Sequence, residues 1–162
     1  QSPTPQRLIM DYLPLKYIHI ISATILFGAG IGSAFHMFMA SRSKDTTAIY
    51  FATRHVVLAD WLFTTPSVII QLVTGVALAH TLGYALTEGW VLWALILYFF
   101  AGACWLPVVW IQIKMRDMAK QALETNQPLP PRYWRYDRWW TILGSLAFPA
   151  IIVVFYLMVF KP

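Results

Sequence analysis

Apolar residues run through this chain in four long stretches separated by short polar ones. The stretches extend from about Leu13 to Ala40, Val56 to Leu82, Trp90 to Ile113 and Trp139 to Phe160. A helix needs roughly 20 mostly apolar residues to cross the hydrocarbon core of a bilayer, and each stretch supplies that length. None alternates with period two, so spanning strands are not expected. The pattern predicts an all-α integral membrane four-helix bundle, a single transmembrane domain over residues 1–162. No internal repeat or low-complexity tract interrupts it.

Charge orients the bundle. Only 12% of the residues are charged, against about 25% in soluble domains. Arg42, Lys44 and Arg54 fall between the first and second stretches, and Lys114, Arg116, Lys120, Arg132, Arg135 and Arg138 between the third and fourth. Arg7, Lys16 and Lys161 fall on the other side. The positive-inside rule then predicts a multi-pass protein with the two basic connections in the cytoplasm and both termini non-cytoplasmic. Trp90 on the outer side, and Trp134, Trp139 and Trp140 on the inner side, read as interfacial belts. Lys114 to Glu124 reads as an extension of helix three, broken by Pro128, Pro130 and Pro131. Arg132, Arg135 and Arg138 follow at spacings of three, which suits anionic lipid headgroups or a docking membrane protein. The net charge of +5 is therefore a topology signal and not one for nucleic acid. The first stretch is too long for a signal-peptide core, so no cleavable leader is expected. The single cysteine, Cys104, offers no internal disulfide and no cysteine-based metal motif.

Polar residues inside the stretches carry the candidate chemistry. Asp60, Thr64, Ser67, Gln71 and Thr74 recur at spacings of four, three, four and three, which is one stripe of a helix. Such a stripe should face the bundle interior. An intramembrane carboxylate is costly and marks a candidate site; Arg54 and His36 are the expected partners of Asp60. Pro66 frees a backbone carbonyl within this helix. In helix one, Gly28 and Gly32 form a small-xxx-small pair suited to close helix packing. His19 and Gly30 lie within about 20° of one another around that helix. A histidine with bare helix on its stripe suits a porphyrin, which needs an axial nitrogen and room for the ring. His19 is the most deeply intramembrane of four histidines and the candidate metal ligand; His80 is the first choice for a second one. His55 and His80 share a face nearly opposite the polar stripe, and His36 lies near the inner boundary. Copper fits less well, because Met37 and Met39, beside His36, alternate around the helix. Tyr98, Gly102, Trp105 and Gln112 share roughly one face of helix three, and helix four offers Thr141, Ser145 and Pro149. These read as ordinary interior residues.

Two resemblances add to this reading. Leu15-Lys16-Tyr17-Ile18-His19, the run Arg54 to Trp61 followed by Thr65-Pro66, Ala101-Gly102-Ala103-Cys104-Trp105-Leu106-Pro107 and Pro130-Pro131-Arg132-Tyr133-Trp134 resemble an uncharacterised family of bacterial predicted integral membrane proteins. That likeness covers nearly the whole chain; it implies four inner-membrane helices and no particular activity. More distantly, Leu15-Lys16-x-x-His19, Thr65-Pro66-Ser67-Val68-Ile69 with Gly75, Gly89-Trp90, Pro149 and Lys161-Pro162 resemble HemJ-type protoporphyrinogen oxidases and, more weakly, CopD-type membrane proteins. That likeness implies haem held through His19. The lysine those enzymes carry early in helix three is replaced here by Val91-Leu92-Trp93, so the resemblance does not extend to protoporphyrinogen oxidation. The function expected is a membrane redox protein that binds haem b and exchanges electrons with a quinone or a partner oxidoreductase. The competing expectation is a non-catalytic subunit or assembly factor of a larger membrane complex, possessing a structural polar stripe. A proton-linked carrier built on Asp60 is a third, and it would require a homo-oligomer.

Overall fold

The computed structural model describes the backbone of residues 5–162 and the side chains from residue 12 onward, so Gln1 and the Arg7 side chain lie outside it. Four helical spans are long and apolar enough to cross a membrane, and no strand occurs among the described residues. The all-α, four-span architecture is the one expected from hydropathy. The elements are α1 (Pro5–Ser43), α2 (Thr46–Ala59), α3 (Thr65–Thr81), α4 (Gly89–Glu124) and α5 (Pro131–Phe160). A single π-helical turn, Asp60–Thr64, joins α2 to α3 in one crossing.

The helices are longer than the apolar stretches. At 1.5 Å per residue, the 36 residues of α4 make a rod of about 54 Å, against a hydrocarbon core of about 30 Å. The charged segments at 46–55, 114–124 and 131–138 are helical too, because hydropathy marks the edge of lipid and not the end of a helix. The expected loops shrink accordingly. Lys44 (φ 57°) and Asp45 alone connect α1 to α2, and the Asp45 carboxylate caps α2 by accepting from Thr47 N–H at 2.9 Å. Pro131 opens α5 at a position where its missing N–H costs nothing.

The end bearing the α1–α2 and α4–α5 connections is called the basic end; the opposite one, with the α3–α4 connection, is the terminal end. At the basic end, Met37 of α1, Ile49 and Val56 of α2, Ile111 and Met115 of α4 and Tyr133 of α5 form one buried cluster. Tyr133 is fully buried, and its hydroxyl meets Ser41 Oγ at 3.0 Å. The arginine-rich segment is thus the opening of α5, fastened to α1 by the tyrosine within it. Arg132, Arg135 and Arg138 point outward. Trp140 does not join the interfacial belt; it is buried, at 7% exposure.

Away from that cluster the helices separate into two hairpins. α1 packs along α2 and α3, α4 along α5, and α2 against α4, while α1 and α5 barely touch. Phe27 bridges α1 to α5, stacked on Phe148 at 5.1 Å and edge-on to Phe155 at 5.6 Å. Gly28 and Gly32 are exposed, and a Cβ added to either would meet nothing within 4 Å. Among the described residues, the close helix packing expected of them does not form. Large apolar side chains cover the outside, among them Tyr17 (68% exposed), Leu106 (66%) and Val159 (74%). Such a surface is what hydrocarbon requires and water penalises.

Candidate functional sites

The gap between α1 and α5 is a lateral cleft, divided by Phe27 and Tyr98 into two cavities. The one at the terminal end is about 460 Å³. The one toward the basic end is about 620 Å³. Both volumes fall in the range of small-molecule sites, and both are walled mainly by apolar side chains. Each meets one part of the polar stripe. Asp60, Thr64, Ser67 and Thr74 are all buried, and Gln71 is half-buried, so the whole stripe turns inward.

At the terminal end the stripe meets His19. The imidazole Nδ1 lies 2.8 Å from Thr74 Oγ1 and Nε2 lies 3.0 Å from Gln71 Nε2. The Thr74 hydroxyl donates its one proton to the Ile70 carbonyl at 2.6 Å. It must therefore accept from the ring, which places the ring proton on Nδ1 and leaves Nε2 to accept the Gln71 amide N–H. Ser22 closes the network by donating its one proton to Gln71 Oε1 at 2.5 Å, with the His19 carbonyl 3.0 Å from the same hydroxyl. These interhelical bonds fasten α1 to α3. A Cβ on Gly75 would meet His19 Cε1 at 3.2 Å, so the glycine leaves the imidazole its place. Lys16, one turn from His19, and Lys161 stand at the mouth of this cavity. The Lys161 ammonium lies over the rings of Tyr84 (5.2 Å) and Trp90 (5.6 Å). Ser22 escaped the sequence reading, its only signal a position three residues from His19; Gly75 entered it through the HemJ-type resemblance and not as a neighbour of His19.

The other expected haem contacts are not gathered here. His80 is exposed and lies half a helical turn around α3 from Gln71, so it points away from His19. Gly30 lines the other cavity. His36 and His55 are exposed and stack on each other at 6.3 Å. No group of three or more metal-ligating side chains occurs among the described residues.

Toward the basic end the stripe meets α4 and α5. Pro66 cannot donate an N–H, and its ring crowds the preceding turn. The helix widens there, so that Thr65 N–H reaches back to the Asp60 carbonyl, five residues away. In such a turn residues four apart lie nearly one above the other, which brings the Asp60 and Thr64 side chains to one side. Asp60 is 5% exposed. With its amide oriented to suit both neighbours, Gln112 donates to Asp60 Oδ2 at 2.5 Å and accepts from the Trp140 indole N–H at 3.1 Å. Thr64 and the Trp105 indole stand beside the carboxylate. Neither expected partner is present: Arg54 and His36 are exposed, and no ion pair among the described residues includes Asp60. The carboxylate is met by neutral donors instead. Gln112, Trp105 and Trp140 were legible as polar atoms in apolar helices, though not as members of this cluster. The Thr64 hydroxyl is buried and finds no partner.

Four inward-turned spans with a cleft open to the side define a multi-pass α-helical membrane protein. The chain belongs to the family described as predicted integral membrane protein (DUF2269), which matches residues 13–162. No curated protein and no solved structure matches the chain.

Proposed function

We propose that this protein is a membrane redox protein that holds haem b in the terminal-end cavity, with His19 as axial ligand, and exchanges electrons with a quinone or a partner oxidoreductase. One observation carries the reading: His19 is the only histidine lining either cavity, and its Nδ1–H is held by Thr74. Iron-ligating histidines have their second nitrogen fixed in this way. The remaining residues suit the group. Gly75 gives the imidazole room, apolar walls suit a porphyrin face, and Lys16 and Lys161 at the mouth suit its propionates. Gln71 covers Nε2 and has to withdraw before that nitrogen can serve a metal. Bound there, haem would supply one-electron chemistry; the protein supplies the ligand, its orientation and a dry wall. His80 has no part in this arrangement.

Adding haemin to the purified protein should give a Soret band that saturates at one haem per chain, and His19→Ala should abolish it. Saturation that is unchanged in His19→Ala, or the absence of any band in the wild type, contradicts the proposal.

The positive-inside rule supports placing the basic end in the cytoplasm of a bacterial cell, with Arg132, Arg135 and Arg138 on anionic headgroups. A second reading, a non-catalytic subunit or assembly factor, is favoured by Gly28 and Gly32, whose exposed face meets nothing in the chain and suits another transmembrane helix or a second copy. Disulfide trapping through Gly28→Cys, yielding a dimer or a stoichiometric partner from intact membranes, would support it.

A further inference from the structure

We infer that the 620 Å³ cavity toward the basic end is a second ligand site, and that its ligand is an isoprenoid quinol, bound as the reduced form in preference to the quinone. The inference gives a location to the quinone named in the proposed function, and it needs no haem to be tested.

The back wall of this cavity sets two demands. The Asp60 carboxylate is buried, has no cation beside it, takes a donor from Gln112 at Oδ2 and has the Trp105 indole next to it. It has lone pairs left, so it asks a ligand for a hydrogen-bond donor. The Thr64 hydroxyl is 95% buried and without any partner, and it lines the same cavity. A buried hydroxyl left unmade costs roughly 1–3 kcal/mol, and a ligand oxygen would satisfy it. One phenolic O–H answers both demands, donating its proton to Asp60 and accepting from Thr64. The quinone has only carbonyl oxygens; it satisfies Thr64 but sets a lone pair against the carboxylate. The π-helical turn presents the two side chains to the same space, which is why one ligand oxygen can serve both.

The rest of the cavity fits the rest of such a molecule. Phe35, Phe148 and Trp105 supply aromatic walls for a flat ring. Gly102 leaves part of the wall bare, since a Cβ there would meet nothing within 4 Å. The opening lies between α1 and α5, where the helices barely touch, so an isoprenoid tail would leave sideways into lipid.

The test uses the purified full chain in detergent, without added haem, and a short-tailed benzoquinol kept anaerobic, read by quenching of tryptophan fluorescence. The quinol should bind saturably, with its quinone at least tenfold weaker and a straight-chain alcohol of equal length no better than the quinone. Thr64→Val should weaken the quinol about tenfold, equivalent to roughly 1.4 kcal/mol. The same variant should unfold no more easily than the wild type, since it removes an unsatisfied polar group. Asp60→Asn should erase the preference for quinol over quinone. His19→Ala should leave all of these unchanged, which separates this site from the haem proposal. Equal binding of quinol, quinone and alcohol would overturn the inference, as would full quinol affinity in both Thr64→Val and Asp60→Asn.

Discussion

Replacing Gln112 by leucine should destabilise the protein by about 3 kcal/mol, although it exchanges a polar residue for an apolar one inside a membrane span. The reason is the carboxylate left behind. Asp60 lies 5% exposed with no cation near it, and the Gln112 amide is its closest donor. Leaving a buried polar group without its hydrogen-bond partner costs about 1–3 kcal/mol, and more when the group is charged. Removing both is milder, since no carboxylate is then left without its donor; the Trp140 indole N–H loses the Gln112 acceptor in either protein. Asp60→Leu/Gln112→Leu should therefore be more stable than Gln112→Leu alone, and a double-mutant cycle should give coupling of about 1 kcal/mol or more. Equilibrium unfolding in mixed detergent micelles measures all four proteins. Additive effects would mean that the two side chains do not share a bond in the folded state.

The second large effect is at Tyr133. The ring is wholly buried where α1, α2, α4 and α5 converge, and its hydroxyl reaches Ser41. Tyr133→Ala should cost about 3–5 kcal/mol, the usual result of emptying a buried aromatic site. Tyr133→Phe keeps the ring and loses one hydrogen bond, so about 1 kcal/mol is expected. Arg135→Ala, two residues away and exposed, should change stability by less than about 0.5 kcal/mol. The same unfolding measurement ranks the three. A cost for Tyr133→Ala no greater than for Arg135→Ala would show that this end of the bundle is held together by something other than the tyrosine.

Tyr133 also shows where a sequence stops being readable. Its stretch looked like an arginine-rich membrane anchor because the arginines repeat every three residues. That spacing reports the exposed face of a helix and says nothing of what lies on the other face, where Tyr133 is. Helix number and the inward turn of Asp60, Thr64, Ser67 and Thr74 were legible, because both follow from the local cost of polar groups in hydrocarbon. Partners were not legible. Asp60 was expected to find Arg54 or His36, yet it meets a glutamine 52 positions further on, with the Trp105 indole beside it, a choice made by helix packing. His19 was singled out by depth, but its ties to Gln71 and Thr74 depend on how α1 lies against α3. Gly30 was assigned to it from a helical angle, and His80 from its depth near the outer boundary. Distance along the axis puts Gly30 in the neighbouring cavity, and rotation puts His80 on the outside. Gly28 and Gly32 had the spacing of a packing motif, yet they fall on an exposed face of α1 and line neither cavity.

That separation of α1 from α5 underlies both proposed sites, since each ligand enters through the gap it leaves. A spin label at Gly102→Cys, with Cys104 replaced by alanine, reports on it directly through collisions with oxygen and with a water-soluble nickel chelate. Gly102 is on the inner wall of the cleft. Oxygen, which concentrates in lipid, should reach the label nearly as readily as one at Leu106, and nickel should hardly reach it. A label sealed from both would mean that α1 and α5 close the bundle, and one open to nickel would mean an aqueous pore; either result contradicts a cleft that opens into the bilayer.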